Sequence, residues 1–212
     1  MHQNTNMNIE RWGTLLQSLN LKDSNDVYSK LVTAYSEPHK YYHTDKHISA
    51  CLKYLDVAGE FSDKKDEVEL AIWFHDAIYK TFSSNNEENS AIWAKNFLDS
   101  NKCNRELIER VYKLIIATSH NHEINTKDES LLVDIDLTIL GEDQETYRQY
   151  QVAIRKEYKL IPNFIYRKKR VQILKNFLNR KSIYSNAFFI ERLERQAREN
   201  ISNEIRRYKS RV

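Results

Sequence analysis

Residues 71–79 read Ala71-Ile72-Trp73-Phe74-His75-Asp76-Ala77-Ile78-Tyr79. The run is apolar except for one imidazole and one carboxylate, side by side in its middle. Charged groups are seldom buried unless they are paired or bound to a metal. The His75-Asp76 pair is therefore either a hydrogen-bonded feature of a core or half of a metal site. Val68, Ala71, Ile72, His75, Ile78 and Tyr79 recur at intervals of three and four. That period predicts a helix over about residues 65–79 with His75 on its apolar face, where an interior ligand must lie.

The composition agrees with a helical setting. Of 212 residues, 41% are apolar and 30% charged, and only three are Gly and two Pro. Few breakers and many Leu, Ile, Lys, Glu and Arg predict an all-α chain long enough to bury a proper core. No stretch approaches the roughly 20 apolar residues that span a bilayer. The polar N-terminus, with Asn4, Asn6 and Asn8, lacks the basic-then-apolar layout of a signal peptide, so a cytoplasmic location is expected. Cys51 and Cys103 make no disulfide framework, and both fall in helical patterns where they read as small buried hydrophobes.

Upstream of the pair, Tyr41-Tyr42-His43-Thr44-Asp45-Lys46-His47-Ile48 leads into a helix with Ile48, Cys51, Leu52 and Leu55 as its apolar positions. Thr44 suits the N-cap of that helix. On this register His47 points inward from the first turn and His43 approaches from the loop. Downstream, Glu87-Glu88-Asn89-Ser90-Ala91-Ile92-Trp93 opens another helix, where either glutamate suits the positive end of the dipole. A helix over about residues 104–119 ends in Ser119-His120-Asn121-His122, and imidazoles there are favoured by the dipole with or without a further role.

Asp128 or Ser130 then opens Leu131-Leu132-Val133-Asp134-Ile135-Asp136-Leu137-Thr138-Ile139-Leu140, closed by Gly141. An unpaired buried carboxylate is too costly, so one of the two aspartates must meet a cation or a metal. Two residues apart on a helix, they cannot face the same way. One is the site group, and the other is read as an exposed or capping partner. Flanking helices are expected over about residues 9–19, from about Ser24 to before Pro38, and in three longer stretches after Glu142.

Charge divides along the chain. Residues 148–212 hold 18 Lys and Arg against 5 Glu and no Asp, a surplus of 13 positive charges, whereas residues 1–147 hold 15 against 25 acids. An acidic front and basic rear suit a metal site facing anion-binding arginines. They equally suit a rear half that binds nucleic acid.

His47, His75-Asp76 and one of Asp134 and Asp136 thus come from three separate helices. Such a nitrogen-and-oxygen set suits Mn²⁺, Fe²⁺, Zn²⁺ or Ni²⁺. Its spread argues against a zinc finger, which uses close, Cys-rich pairs. With only Gly13, Gly59 and Gly141 there is no Gly-rich phosphate loop, and no Ser or Cys nucleophile motif is present.

The order His, His-Asp, Asp in an all-helical chain resembles the HD-domain superfamily of metal-dependent phosphohydrolases. YYHTDKHI (41–48), WFHDAIY (73–79), NEENSA (86–91), DIDLTILG (134–141), AIRKEY (153–158), RKKRVQILKNFL (167–178) and ERQAREN (194–200) together resemble a subfamily of predicted HD phosphohydrolases. The resemblance implies a single-domain HD-type helical bundle over residues 1–212. Its metal-site core would cover about 41–141, with additional basic C-terminal helices over about 142–210. It implies His47, His75, Asp76 and Asp136 as ligands of a divalent ion (Mn, Fe, Ni, Zn or Mg). Asp136 is chosen because Leu137 follows it; Asp134 is the second choice. Where some relatives carry a glutamate about three residues after the dyad, this chain has Tyr79, so proton transfer passes to Glu87 or His120, with Asp76 orienting the water. His43, Arg155, Arg170 and Arg198 would hold phosphate, arginine doing so bidentately. The implied reaction is hydrolysis of a nucleotide or other small phosphate ester or anhydride, the metal activating water and polarising a phosphoryl oxygen.

Two other functions fit parts of the sequence. A catalytically silent HD-like module would bind nucleotide or nucleic acid through the basic C-terminal helices. A helical scaffold would explain the ion-pair-rich helices but leaves Asp134 and Asp136 unaccounted for.

Overall fold

The computed structural model describes residues 7–22, 25–119 and 123–209, and among them it is all-helical: ten α-helices, two short 3-10 stretches and no strand. The expected start of the second helix at Ser24 lies outside the described residues. The sequence reads as one domain, whereas backbone packing divides the chain into two compact units, Met1–Ile135 and Asp136–Val212. No helix among the described residues is long and apolar enough to cross a membrane.

The first unit holds α1 (Ile9–Ser18), α2 (Asn25–Tyr35), α3 (Asp45–Ala58), α4 (Lys65–Phe74), α5 (Asn86–Ser100), α6 (Arg105–Ala117) and α7 (Lys127–Asp136), the last reaching the division itself. α4 is its hub and packs against α1, α3, α5 and α6. Val68 and every residue from Leu70 to Phe74 are fully buried, so the C-terminal half of α4 is apolar all round and not striped. Trp12 meets Trp73 edge-on at 5.1 Å, and Phe74 stacks on Phe97 at 5.7 Å. Each such side chain contributes about 1.5–3 kcal/mol by leaving water.

α4 ends at Phe74, five residues before the end expected from its period, and His75 is its C-cap. Donors from elsewhere take the carbonyls that a longer helix would have used. Tyr35 Oη donates to Trp73 O (2.9 Å), His75 Nδ1 to Ile72 O (2.9 Å), and the Lys40 ammonium to the carbonyls of Asp76 and Ala77 (3.0 Å each). The Ile78 N–H turns away to Ser90 Oγ (3.1 Å). Thr44 holds the expected N-cap position of α3 in extended backbone, but its hydroxyl makes no capping bond. Asn8 and Asn104 do cap α1 and α6 with their side chains, satisfying a first-turn N–H in each.

The second unit begins with a 3-10 stretch, Leu137–Gly141, followed by α8 (Gln144–Glu157), α9 (Asn163–Leu178) and α10 (Ala187–Lys209). The helix expected through Leu140 therefore tightens after Asp136. α10 packs on this stretch and on α9. Gly141 is required by that approach: a Cβ there would sit 2.5 Å from Leu193 Cβ and 2.9 Å from Tyr184 Oη. Asn200 Nδ2 donates to the carbonyls of Leu140 (2.9 Å) and Glu142 (2.8 Å), satisfying the end of the stretch.

Candidate metal centre

His47 lies in the first turn of α3 and His75 at the end of α4, and both are buried, at 6% and 1% exposure. Their Nε2 atoms are 3.2 Å apart. Asp76 Oδ2 lies 3.3 Å from His47 Nε2 and 3.1 Å from His75 Nε2. The three atoms form a nearly equilateral triangle, and the inward placement expected of both imidazoles is found.

The protons of this triangle can be counted. A carbonyl only accepts, so the bond to Ile72 O puts a proton on His75 Nδ1. In the neutral ring, His75 Nε2 is then an acceptor. Burial raises the Asp76 carboxyl, but with the imidazoles protonated the charges of His75 and His43 and hydrogen bonds from His47 and His75 overcome it. They hold the group well below the usual carboxylate range. Without charging a ring, the most the triangle can contain is one proton, on His47 Nε2. One proton cannot separate three pairs of electron-rich atoms, and at least one edge is left acceptor against acceptor.

Protonation of an imidazole or a divalent ion resolves this excess. Nitrogen and oxygen ligands lie about 2.0–2.1 Å from such an ion. At that distance, donor separations of 3.1–3.3 Å subtend about 95–110° at the metal, in the range from octahedral to tetrahedral. The Nδ1–H to carbonyl bond of His75 is also the outer support usual for a metal-bound imidazole.

Asp136, the last residue of α7, lies close to the two imidazoles. One ligand atom each from His47, Cys51, His75 and Asp136 lie within 4.8 Å of one another, so the cluster could hold a metal ion. Asp134 is not in it. Of the exposed or capping role expected for the other aspartate, exposure is ruled out, since Asp134 has no exposed surface. Cys51 was read as a small hydrophobe. The signal that could have found it is its place one helical turn after His47.

Other residues position the site. Lys40, with its side chain wholly buried, holds the backbone of Asp76 and Ala77. In NEENSA it is Asn86 and Ser90 that fix the chain after the dyad: Asn86 bonds both N and O of Lys80 (2.9 and 3.0 Å), and Ser90 accepts from Ile78 N. Glu87 is half-buried in the first turn of α5 and is not in the converging group, while Glu88 accepts from Tyr112 Oη. His43 is half-buried, stacks on Tyr79 at 3.8 Å and lies 6.1 Å from the His47 ring. His120 lies outside the described residues.

The three arginines expected to hold phosphate are engaged within the second unit. Arg155 donates to the carbonyls of Tyr158 and Ile161 and to Asn163, closing the end of α8. Arg198 donates to the carbonyls of Leu178, Arg180 and Lys181 beyond α9 and pairs with Glu194 at 2.6 Å. Arg170, 8% exposed, pairs with Glu204 at 3.0 Å and donates to Tyr150 Oη at 3.0 Å. Their donors meet the protein's own acceptors.

The chain matches no protein-family model, no curated protein and no solved structure. What it does is therefore argued from the site.

Proposed function

We propose that the protein is a metal-dependent phosphohydrolase acting on a nucleotide or other small phosphate ester or anhydride. The observation that carries the reading is the acceptor-rich triangle of His47 Nε2, His75 Nε2 and Asp76 Oδ2, with sides of 3.1–3.3 Å. The resemblance of the surrounding motifs to the HD-domain superfamily points to the same chemistry.

His47, His75, Asp76 and Asp136 would hold the ion. The ion supplies Lewis acidity, lowering the pKa of water and drawing charge from a phosphoryl oxygen. Asp76, kept ionised, accepts a hydrogen bond from the attacking water and orients it. His43, on the Tyr79 ring beside the cluster, offers an N–H to the phosphate. Glu87 and His120 are the candidates for passing a proton to the leaving oxygen, separable by Glu87→Gln and His120→Gln.

The test is a screen of nucleoside phosphates and bis-p-nitrophenyl phosphate with Mn²⁺, Ni²⁺, Zn²⁺ and Mg²⁺. Turnover by the wild type, abolished in a folded Asp76→Ala variant, is the expected result. A protein carrying stoichiometric metal that hydrolyses none of these would overturn the hydrolase reading. The surplus of 13 positive charges in residues 148–212 favours a second reading, a module that binds nucleotide or nucleic acid without turnover.

A further inference from the structure

We infer that the tip where α8 turns into α9 docks on an anionic lipid surface, with Leu160 and Phe164 entering the interface and neighbouring lysines meeting the headgroups. Leu160 and Phe164 are 75% and 74% exposed, the most open of the large apolar side chains among the described residues. Ile165, next in sequence, is exposed as well. Grouped exposure of this kind, rimmed by polar residues, marks an interaction surface.

The tip is held in place from within. Arg155 reaches out of the last turn of α8 and donates to the carbonyls of Tyr158 and Ile161 and to Asn163 Oδ1. Its guanidinium lies over the buried Tyr166 ring, 4.8 Å from the centroid. One side chain thus fixes the backbone on both sides of Leu160 and the first residue of α9. Leu160 and Phe164 are held outward and lose little backbone freedom on contact.

Charge says what covers them. From Tyr158 to Ile190 the chain has eight Lys and Arg and no Asp or Glu. Lys156, Lys159, Lys168 and Lys169 are exposed, each within five residues of Leu160 or Phe164. Lys168 follows Phe164 by one turn of α9 and shares its face. Attraction to anionic headgroups fades within a Debye length, about 8 Å at physiological salt, so cations beside the tip are the ones that count. A nucleic acid would meet the lysines but leave Leu160 and Ile165 in water, and a second copy of this face would set lysine against lysine. An anionic bilayer takes both, the apolar side chains at the acyl boundary and the ammonium groups among the headgroups. No helix among the described residues is long and apolar enough to cross a bilayer, so the contact inferred is peripheral.

The experiment is sedimentation of the full chain with vesicles of phosphatidylcholine, alone or mixed with phosphatidylserine. Expected are binding to the mixed vesicles, little to phosphatidylcholine alone, and weakening as salt rises. Leu160→Ser with Phe164→Ser alters only exposed side chains, so it should keep the melting temperature while weakening vesicle binding roughly tenfold or more. Lys159→Glu with Lys168→Glu should weaken it similarly. Equal binding to both kinds of vesicle, or binding that the Leu160 and Phe164 variant retains in full, overturns the inference. So does a wild type that sediments with neither, whether light scattering then shows a dimer that this variant breaks, or a single-stranded oligonucleotide binds through the lysines alone.

Discussion

In the second unit, Arg170 gives two guanidinium protons to Glu204 and a third to Tyr150, while Tyr147 Oη donates to Glu204 Oε2. In the first unit, His47, His75 and Asp76 bring three electron-rich atoms together around at most one proton as long as both rings are neutral. Both clusters are buried and both contain a carboxylate held below its usual range. In the second unit donors and acceptors match, the charges cancel, and the cluster is structural. In the first, with both rings neutral, acceptors outnumber protons, and the cluster could hold a metal ion. Burial of charge alone therefore does not mark a site; the mismatch does.

The contrast is tested most strongly by metal. At a concentration of 100 times Kd, a divalent ion should stabilise the wild type by about 2.7 kcal/mol, read as a rise in melting temperature. Asp76→Ala should show no rise while its far-ultraviolet spectrum stays helical. The second cluster should respond the other way. Arg170→Met, which strands a buried Glu204, should cost about 3–5 kcal/mol in denaturant unfolding, with metal stoichiometry unchanged. Adding Glu204→Leu to it should recover much of that loss; a double variant no more stable than the single would contradict a closed ion pair.

Smaller effects follow. Gly141→Ala forces a Cβ against Leu193 and should cost about 1–3 kcal/mol, again without touching metal binding. Burial raises the Glu204 carboxyl, but the Arg170 charge and the hydrogen bonds from Arg170 and Tyr147 prevail and leave it below the ordinary value of 4.5. Its contribution is complete above that value. As pH falls below it, the unfolded chain takes up a proton that the folded one does not, and stability declines. Glu204→Gln should flatten this part of an acid-unfolding profile. Least affected should be KM, which Arg155→Ala and Arg198→Ala should leave nearly unchanged while each costs about 1 kcal/mol of stability. A large rise in KM would return these arginines to the phosphate.

The sequence exposed what was chemically out of place in it. His75 and Asp76 stand in an apolar run and meet His47 with separations of 3.1–3.3 Å, and Asp136 shares a 4.8 Å group with the two histidines. Cys51 stayed hidden because a cysteine in such a run is indistinguishable from a small hydrophobe until its neighbours are known. Lys40 looked like an ordinary loop lysine, since nothing near it in sequence announces the carbonyls of Asp76 and Ala77. The arginines carried charge that could be counted, but the partner of Arg170 is Glu204, 34 residues away. The end of α4 was misplaced for a related reason: the apolar period runs on to Tyr79, while the hydrogen bonds that stop the helix come from Tyr35, Lys40 and Ser90.

The most direct test of the central claim is metal content by plasma mass spectrometry, on chain purified without chelator and dialysed against Zn²⁺. One ion per wild-type chain, with none retained by folded Asp76→Ala, is predicted. A folded wild type that holds no metal, or an Asp76→Ala variant that holds as much, would contradict it.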